Sequence, residues 1–261
     1  MIEVPVVVLL LGESPPDKPI FIQETESFEI RVNGAEPVLK WYALLPKPLD
    51  YDNTDFCTPD SGPECSVPIE WYWKEIVDFR GTFSVRTHEN RQYFKTGTHR
   101  LTVVSDNQDL PEPIPQNSLE VVVRRDNTYV GYATELIGTP FVFWPKQIEN
   151  GHQTDLRLGA DCAATVIYGK RRMGHQVGYF APKGLLRYLV EVEPTSVRVG
   201  DVLHFGFQTA LLSKDTDPLG VLNESDIILH SYHELVEEIP FKQALYSGQP
   251  YKVYRWIDVF Q

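Results

Sequence analysis

Residues 159–174 have the sequence GADCAATVIYGKRRMG, which predicts a helix that begins at a cysteine. Asp161 is a favourable N-cap, because its carboxylate can accept a hydrogen bond from a free backbone N–H of the first turn. Cations at 170–172 suit the negative end of the helix dipole, and Gly174 is placed to end the helix. A thiol at the positive end of a helix is favoured as the nucleophilic thiolate. The stretch therefore makes Cys162 a candidate nucleophile.

The composition and the apolar pattern of the chain argue against two classes of protein. The chain has 261 residues, 42% of them hydrophobic, with 24 Lys and Arg against 36 Asp and Glu, a formal charge of -12. We do not expect nucleic acid as a partner, since that would require a basic face. No apolar run approaches the roughly 20 residues of a membrane span. The apolar run at 6–11 is short and follows Glu3 rather than a basic cluster, so it predicts a first strand and not a signal peptide.

Three cysteines are present, and two of them lie close together in a loop rich in Pro, Asp and Gly. A disulfide between Cys57 and Cys65 would close this loop and would indicate an oxidising compartment. The alternative is a pair of unpaired loop thiols. We expect no metal site here, because no His and no third Cys is near in sequence. Cys162 is then the odd cysteine, which favours a reactive thiol.

The order of the predicted elements indicates two domains. Residues 1–125 contain several short alternating strands separated by turns, which predicts an all-β sandwich, with a long irregular insertion at about 45–68. The segment 93–103 resembles the penultimate strand of immunoglobulin-like modules, although no core disulfide accompanies it. Residues 126–261 follow with helices first and then strands, which is an α+β order. We place helices at 128–137, 162–172 and 184–193, and strands at 202–208, 227–230 and 251–256.

Four segments of the second domain resemble, in the same order, those of the NlpC-type cell-wall cysteine peptidases. Residues 133–141 resemble the family's helix that ends in Gly-Thr-Pro-Tyr, and 161–164 resemble its Asp-Cys-Ser-Gly nucleophile motif. Residues 199–203 resemble its Pro-Gly-Asp-Leu turn, and 226–231 its late strand ending in His. The resemblance covers about residues 128–256. It implies a papain-like fold in which Cys162 is the nucleophile and a strand histidine is the base.

The resemblance leaves two alignments open for the base. In the first, residues 204–208 stand for the family's His-Val-Gly-Ile-Tyr, so His204 is the base and His230 is the third polar residue. In the second, the base position falls near Gln208, or the role passes to His230. A single strand over 202–208 would place His204 and Gln208 on one face.

Departures from the family pattern predict a different pocket. Phe141 stands for the family's Tyr, Trp144 begins the pair that replaces Gly-Gly, and Ala163-Ala164 replace Ser-Gly. Our candidates for substrate binding are Asp161, Phe141, Gln208 and Trp144.

These observations predict a periplasmic or secreted cysteine hydrolase that cleaves amide bonds, with peptidoglycan stem peptides as the expected substrate and no cofactor or metal. The alternative is a catalytically inactive papain-like domain that serves as a cell-wall or protein binding module. An acyl or amide transferase is a third hypothesis. The oligomeric state is left open.

Overall fold

The computed structural model describes residues 5–11, 15–16, 18–33, 38–57, 60–62 and 65–257. Its strands, numbered in chain order, are β1 (Val6–Leu10), β2 (Ile20–Gln23), β3 (Glu29–Asn33), β4 (Leu39–Pro46), β5 (Tyr51–Asp52), β6 (Trp71–Glu75), β7 (Ser84–Arg86), β8 (Gly97–Ser105), β9 (Leu119–Arg124), β10 (Val142–Phe143), β11 (Gln147–Ile148), β12 (Gly151–His152), β13 (Leu189–Val192), β14 (Val202–His204), β15 (Thr209–Lys214), β16 (Ile227–Ser231), β17 (Val236–Pro240) and β18 (Lys252–Trp256). Its α-helices are α1 (Asn53–Phe56), α2 (Tyr129–Ala133), α3 (Cys162–Arg172) and α4 (Pro182–Leu185). Short 3₁₀ helices cover Val77–Phe79, Thr87–Glu89, Pro115–Asn117, Thr134–Leu136, Leu186–Tyr188 and Phe241–Gln243. None of the helices in these ranges is long and apolar enough to cross a membrane.

The fold is mixed α and β, with most of the regular structure in sheets and few helices. The chain divides into two compact units. The first unit comprises Met1–Lys47 and Ile69–Arg125, and the second comprises Pro48–Pro68 and Asp126–Gln261. The sequence-based division at 125 placed residues 48–68 in the first domain, whereas the structure groups them with the second unit. We call residues 48–68 the bridged segment.

The first unit consists of two sheets that share one hydrophobic core. Their strand orders are β1-β3-β7 and β2-β9-β8-β4-β6. Successive side chains of a strand point to opposite faces of the sheet, so every second residue is buried. Ile30 and Val32 of β3 point into the core, while Arg31 between them is exposed. Leu39 and Trp41 of β4 point into the same core. The fully buried Trp41 also donates its Nε1–H to the Thr82 carbonyl at 2.9 Å, so its polar group is satisfied.

The second unit is organised around a six-stranded antiparallel sheet, ordered β13-β18-β14-β15-β16-β17. Both faces of this sheet are covered. Leu211 of β15 belongs to the core that includes Val166 and Ile167 of α3. Its neighbour Leu212 belongs to the opposite core, which includes Phe241. Helix α3 therefore lies on one face of the sheet, and its N-terminus carries Cys162.

The predicted helix at 162–172 is confirmed, together with the residues predicted to begin and end it. Asp161 is the N-cap, and its Oδ1 accepts a hydrogen bond from the Ala164 N–H at 2.7 Å. Gly174 follows the helix with a φ of 93°, a left-handed conformation that glycine adopts readily. The disulfide between Cys57 and Cys65 is also confirmed, with a Cα–Cα distance of 5.8 Å.

Two predicted elements are wrong in part. The helix expected over 184–193 ends early and gives way to β13, where the β-branched Val190 and Val192 pair with β18. The strand expected over 202–208 is broken by a tight turn. Gly206 has a φ of 87°, and the Phe205 N–H donates to the Gln208 carbonyl at 2.8 Å. His204 and Gln208 therefore lie on opposite sides of a hairpin turn rather than along one strand face.

The turn before β14 provides a test of the second unit's stability. Asp201 is buried and accepts two hydrogen bonds from Arg255 of β18, both at 2.7 Å, and one from the Arg198 N–H at 2.8 Å. We expect Asp201→Ala to lower the free energy of unfolding by about 2–3 kcal/mol, because it leaves a partly buried guanidinium unpaired. The measurement is urea unfolding followed by circular dichroism.

The control for this test is Glu191→Gln, which removes the exposed ion pair with Lys252 in the same sheet. Exposed pairs contribute little, so this variant should unfold close to wild type. Equal losses for Glu191→Gln and Asp201→Ala would contradict the assignment.

Candidate functional site

Cys162 opens onto a cavity of about 740 Å³ within the second unit, a size typical of ligand sites. We call it the Cys162 cavity. Its apolar and aromatic lining consists of Phe141, Phe143, Trp144, Pro145, Ala164, Tyr179, Phe180, Ala181, Pro182, Gly184, Phe207 and Tyr232. Its polar lining consists of Asp161, Cys162, Arg187, Gln208 and His233. The four residues that the sequence proposes for substrate binding thus all line one cavity with Cys162.

The Cys162 thiol is in its protonated form at neutral pH. The side chain is only 7% exposed, and burial raises the pKa of the thiol to about 12. The neighbouring carboxyl of Asp161 raises this pKa further, while hydrogen bonding from Thr209 and from the Ala163 N–H lowers it. Desolvation therefore outweighs the helix terminus that favoured the thiolate in the sequence argument.

His204 lies on β14, directly across from Thr209 of β15. Its Nδ1 accepts a hydrogen bond from the Gly206 N–H at 3.1 Å, and its ring packs edge-on against Tyr254 at 5.9 Å between centroids. Burial lowers the pKa of His204. The ring is thus held by its own hairpin turn, and it is not among the residues that line the cavity.

His230 lies on β16 and is bound to a tyrosine. Its Nδ1 is 2.8 Å from the hydroxyl oxygen of Tyr246, and its Nε2 is 3.5 Å from Oε1 of Glu237. Burial lowers the pKa of His230 to about 4, so the ring is neutral at pH 7.

No hydrogen bond joins the Cys162 sulfur to His204 or His230 in the part of the chain that the structure describes. Gln208 is one of the polar side chains that share the cavity with the thiol, together with Asp161, Arg187 and His233. Its Nε2 donates to the Ser231 carbonyl at 3.1 Å. An amide cannot take up a proton at neutral pH as an imidazole does. The cavity therefore contains a neutral thiol and a neutral amide, together with the carboxyl of Asp161, the guanidinium of Arg187 and the imidazole of His233.

Asp161 is the acidic group of the cavity. Burial raises the pKa of its carboxyl to about 6, although the backbone N–H groups of Ala164, Trp144 and Ala163 oppose the change by stabilising the carboxylate. Its main structural role is to cap α3. The described residues contain no group of three His, Cys, Asp or Glu side chains that could hold a metal ion.

Sequence reasoning missed two polar residues of the cavity. The Arg187 guanidinium lies 3.9 Å from the centroid of the Phe180 ring. The Nδ1 atom of His233 is 2.8 Å from Oδ2 of Asp50, in the bridged segment. No sequence signal could have linked residue 233 to residue 50, since they are far apart along the chain.

Comparisons of the chain with protein-family models, with curated proteins and with solved structures found no match. The resemblance to the NlpC-type peptidases therefore stays a prediction that depends on the four sequence segments.

The ionisation of Cys162 can be measured directly, since Cys162 is the one cysteine outside the disulfide. We expect the difference in absorbance at 240 nm between wild type and Cys162→Ser to show no thiolate between pH 7 and 10, because burial raises the pKa of the thiol to about 12. A titration with a midpoint at or below the ordinary thiol value of about 8.5 would contradict this expectation.

His230 should make the second unit sensitive to acid. Its pKa is about 4 when folded and 6.5 in the reference state, so the unfolded chain binds the proton first and stability falls as pH drops from 6.5 to 4. We expect His230→Gln to remove roughly 3 kcal/mol of that acid loss. The raised pKa of Asp161 has the opposite effect on the pH dependence of stability. Because Asp161 is present in both proteins, its contribution cancels when their stabilities are compared.

The measurement is urea unfolding of wild type and His230→Gln at pH 7.5 and at pH 4.5. Gln keeps a polar group within reach of Tyr246. A constant difference in stability between the two proteins at the two pH values would refute the assignment of a neutral, buried His230.

Proposed function

We propose that the second unit is a non-catalytic binding module whose ligand occupies the Cys162 cavity. The observation that carries the proposal is the state of Cys162 and of the histidines around it. The pKa of the Cys162 thiol is raised to about 12, and neither His204 nor His230 lines the cavity. The histidine that does line it, His233, is bound to Oδ2 of Asp50 at 2.8 Å. Nucleophilic thiols need an adjacent base or a lowered pKa. A cavity of this volume with aromatic walls is suited to binding instead.

The ligand that fits best is a peptide that carries a carboxylate, and we place cell-wall stem peptides first. The aromatic walls can contact apolar side chains and methyl groups. Arg187 forms no ion pair with any described residue, although the chain as a whole is strongly acidic. A guanidinium stacked on an aromatic ring, as Arg187 is on Phe180, keeps its N–H groups available for a carboxylate.

The proposal also assigns a fold family to each of the two units. A helix that begins at a cysteine and packs on an antiparallel sheet supports a papain-like, NlpC-type second domain. Two sheets around one core support an immunoglobulin-like first domain. The disulfide is compatible with an extracytoplasmic location, where such bonds form and persist.

Hydrolysis by Cys162 is the competing proposal. It is favoured by one observation, since Cys162 both begins α3 and lines the cavity. Incubation with stem peptides followed by mass spectrometry separates the two proposals. Products that form with wild type and disappear with Cys162→Ala would support hydrolysis.

For the binding module we expect Cys162→Ala to bind stem peptide within about twofold of wild type and to leave the peptide intact. Arg187→Ala should weaken binding about tenfold, or about 1.4 kcal/mol, because a charge-assisted hydrogen bond is lost. Isothermal titration calorimetry measures both affinities. The control is Lys183→Ala in α4, which removes a nearby cation that does not line the cavity.

Unchanged affinity in Arg187→Ala would exclude the carboxylate contact. A peptide from the C-terminus of a protein, tested in parallel, shows whether the ligand comes from the cell wall or from a protein.

A further inference from the structure

Two residues of the Cys162 cavity have a backbone conformation that side chains disfavour. Trp144 has a φ of 61° and His233 a φ of 63°. Both are left-handed, a region that non-glycine residues seldom occupy and that is least expected for a bulky side chain such as Trp. Such conformations persist only where the surroundings hold them. The shape of this part of the cavity therefore depends on whatever holds Trp144 and His233.

The bridged segment holds both residues. Asn53, which is fully buried, donates from Nδ2 to the Trp144 carbonyl and to Oε1 of Gln153, each at 2.9 Å. The Asp50 carboxylate is bound to the His233 ring at 2.8 Å. Strand β5 of the segment also pairs with β10, the strand that leads directly into Trp144. Three separate contacts thus connect the bridged segment to the cavity wall.

The disulfide closes a loop within the bridged segment, between Cys57 and Cys65. Cys57 is the C-cap of α1, and its N–H donates to the Asn53 carbonyl at 3.0 Å. On the returning side, just after Cys65, the Val67 N–H donates to Oδ1 of Asn53 at 2.6 Å. The bond between Cys57 and Cys65 therefore joins the two limbs that meet at Asn53. Both cysteines are partly exposed, so a small reductant can reach them.

We propose that the Cys57–Cys65 disulfide is a redox-sensitive support of the Cys162 cavity. The closed disulfide keeps Asn53 and Asp50 in place and so holds Trp144 and His233 in the conformation that forms the cavity wall. Reduction releases the two limbs and opens the wall. The consequence for ligand binding rests on the proposed function, whereas the change in the wall itself does not.

The redox step needs a dithiol. A thiolate of the dithiol attacks one sulfur of the disulfide, the S–S bond breaks, and the other cysteine leaves as a thiolate that takes up a proton. The second thiol of the reagent, as thiolate, then attacks the mixed disulfide. This releases the remaining cysteine, which is also protonated, and leaves the reagent as a cyclic disulfide. Two electrons pass from the dithiol to the protein.

The test compares wild type, kept oxidised, with Cys57→Ser/Cys65→Ser, because Cys162 is the single free thiol in both proteins. The measurements are the rate at which iodoacetamide alkylates Cys162 and the hydrogen exchange of the backbone amides of residues 141–144 and 146. We expect both rates to rise at least tenfold in the double variant. Exchange in α3 and in β8 should stay at the wild-type level, which shows that both units remain folded.

A second variant, Asn53→Ala, keeps the disulfide but removes the contact with Trp144, and it should raise both rates in the same way. Asp60→Ala lies inside the loop that the disulfide closes and is the matched control, with no expected change. Rates within twofold of wild type in both the double variant and Asn53→Ala would overturn the proposal, as would unprotected amides throughout α3. Neither measurement uses a ligand, so its outcome is independent of whether stem peptides bind.

Discussion

Desolvation at the N-terminus of α3 decides the chemistry of the second unit. A helix terminus favours a charge at the first turn by about 0.3–1 kcal/mol at exposed sites. Holding the pKa of the buried Cys162 thiol at about 12 corresponds to roughly 4 kcal/mol against the thiolate, since each tenfold change in an ionisation constant is about 1.4 kcal/mol. Desolvation therefore outweighs the effect of the helix terminus, and the thiol stays neutral. The neighbouring carboxyl of Asp161 acts in the same direction, because a negative charge beside the sulfur disfavours the thiolate.

The second constraint is that the cavity wall is supported from a distant part of the sequence. Left-handed Trp144 and His233 are both held by the bridged segment, which is separated from them by the first unit's later strands. A backbone conformation of this kind costs of order 1–3 kcal/mol and must be offset by its contacts. The three hydrogen bonds of buried Asn53 are of the right size to do so. The insertion thus interrupts the first unit in the sequence but belongs to the second unit in the structure.

Sequence motifs correctly predicted those features of the structure that depend only on residues close together in the chain. The cap at Asp161, the start of α3 at Cys162 and the disulfide in the Cys-rich loop all depend on neighbours in sequence, and the structure has them. The hairpin at Gly206 was missed because the apolar pattern from 202 to 208 continues across the turn, and only the φ of the glycine shows the reversal. The role of Asn53 was beyond reach, since its partners Trp144 and Gln153 are about a hundred residues away.

The same reasoning explains why the base was ambiguous in the sequence. Residue type alone made His204 and His230 equivalent candidates, but a histidine acts as a base only where its free nitrogen meets the thiol. Hydrogen bonds to the Gly206 N–H and to Tyr246 hold the rings of His204 and His230, and no hydrogen bond joins either ring to the thiol among the described residues. Burial keeps both rings neutral at neutral pH by lowering each pKa. Neither histidine lines the Cys162 cavity, whereas Arg187 does, and its guanidinium has no ion-pair partner among the described residues. Such an arrangement favours a ligand that buries an apolar part against the aromatic walls of the cavity and places its negative charge at Arg187.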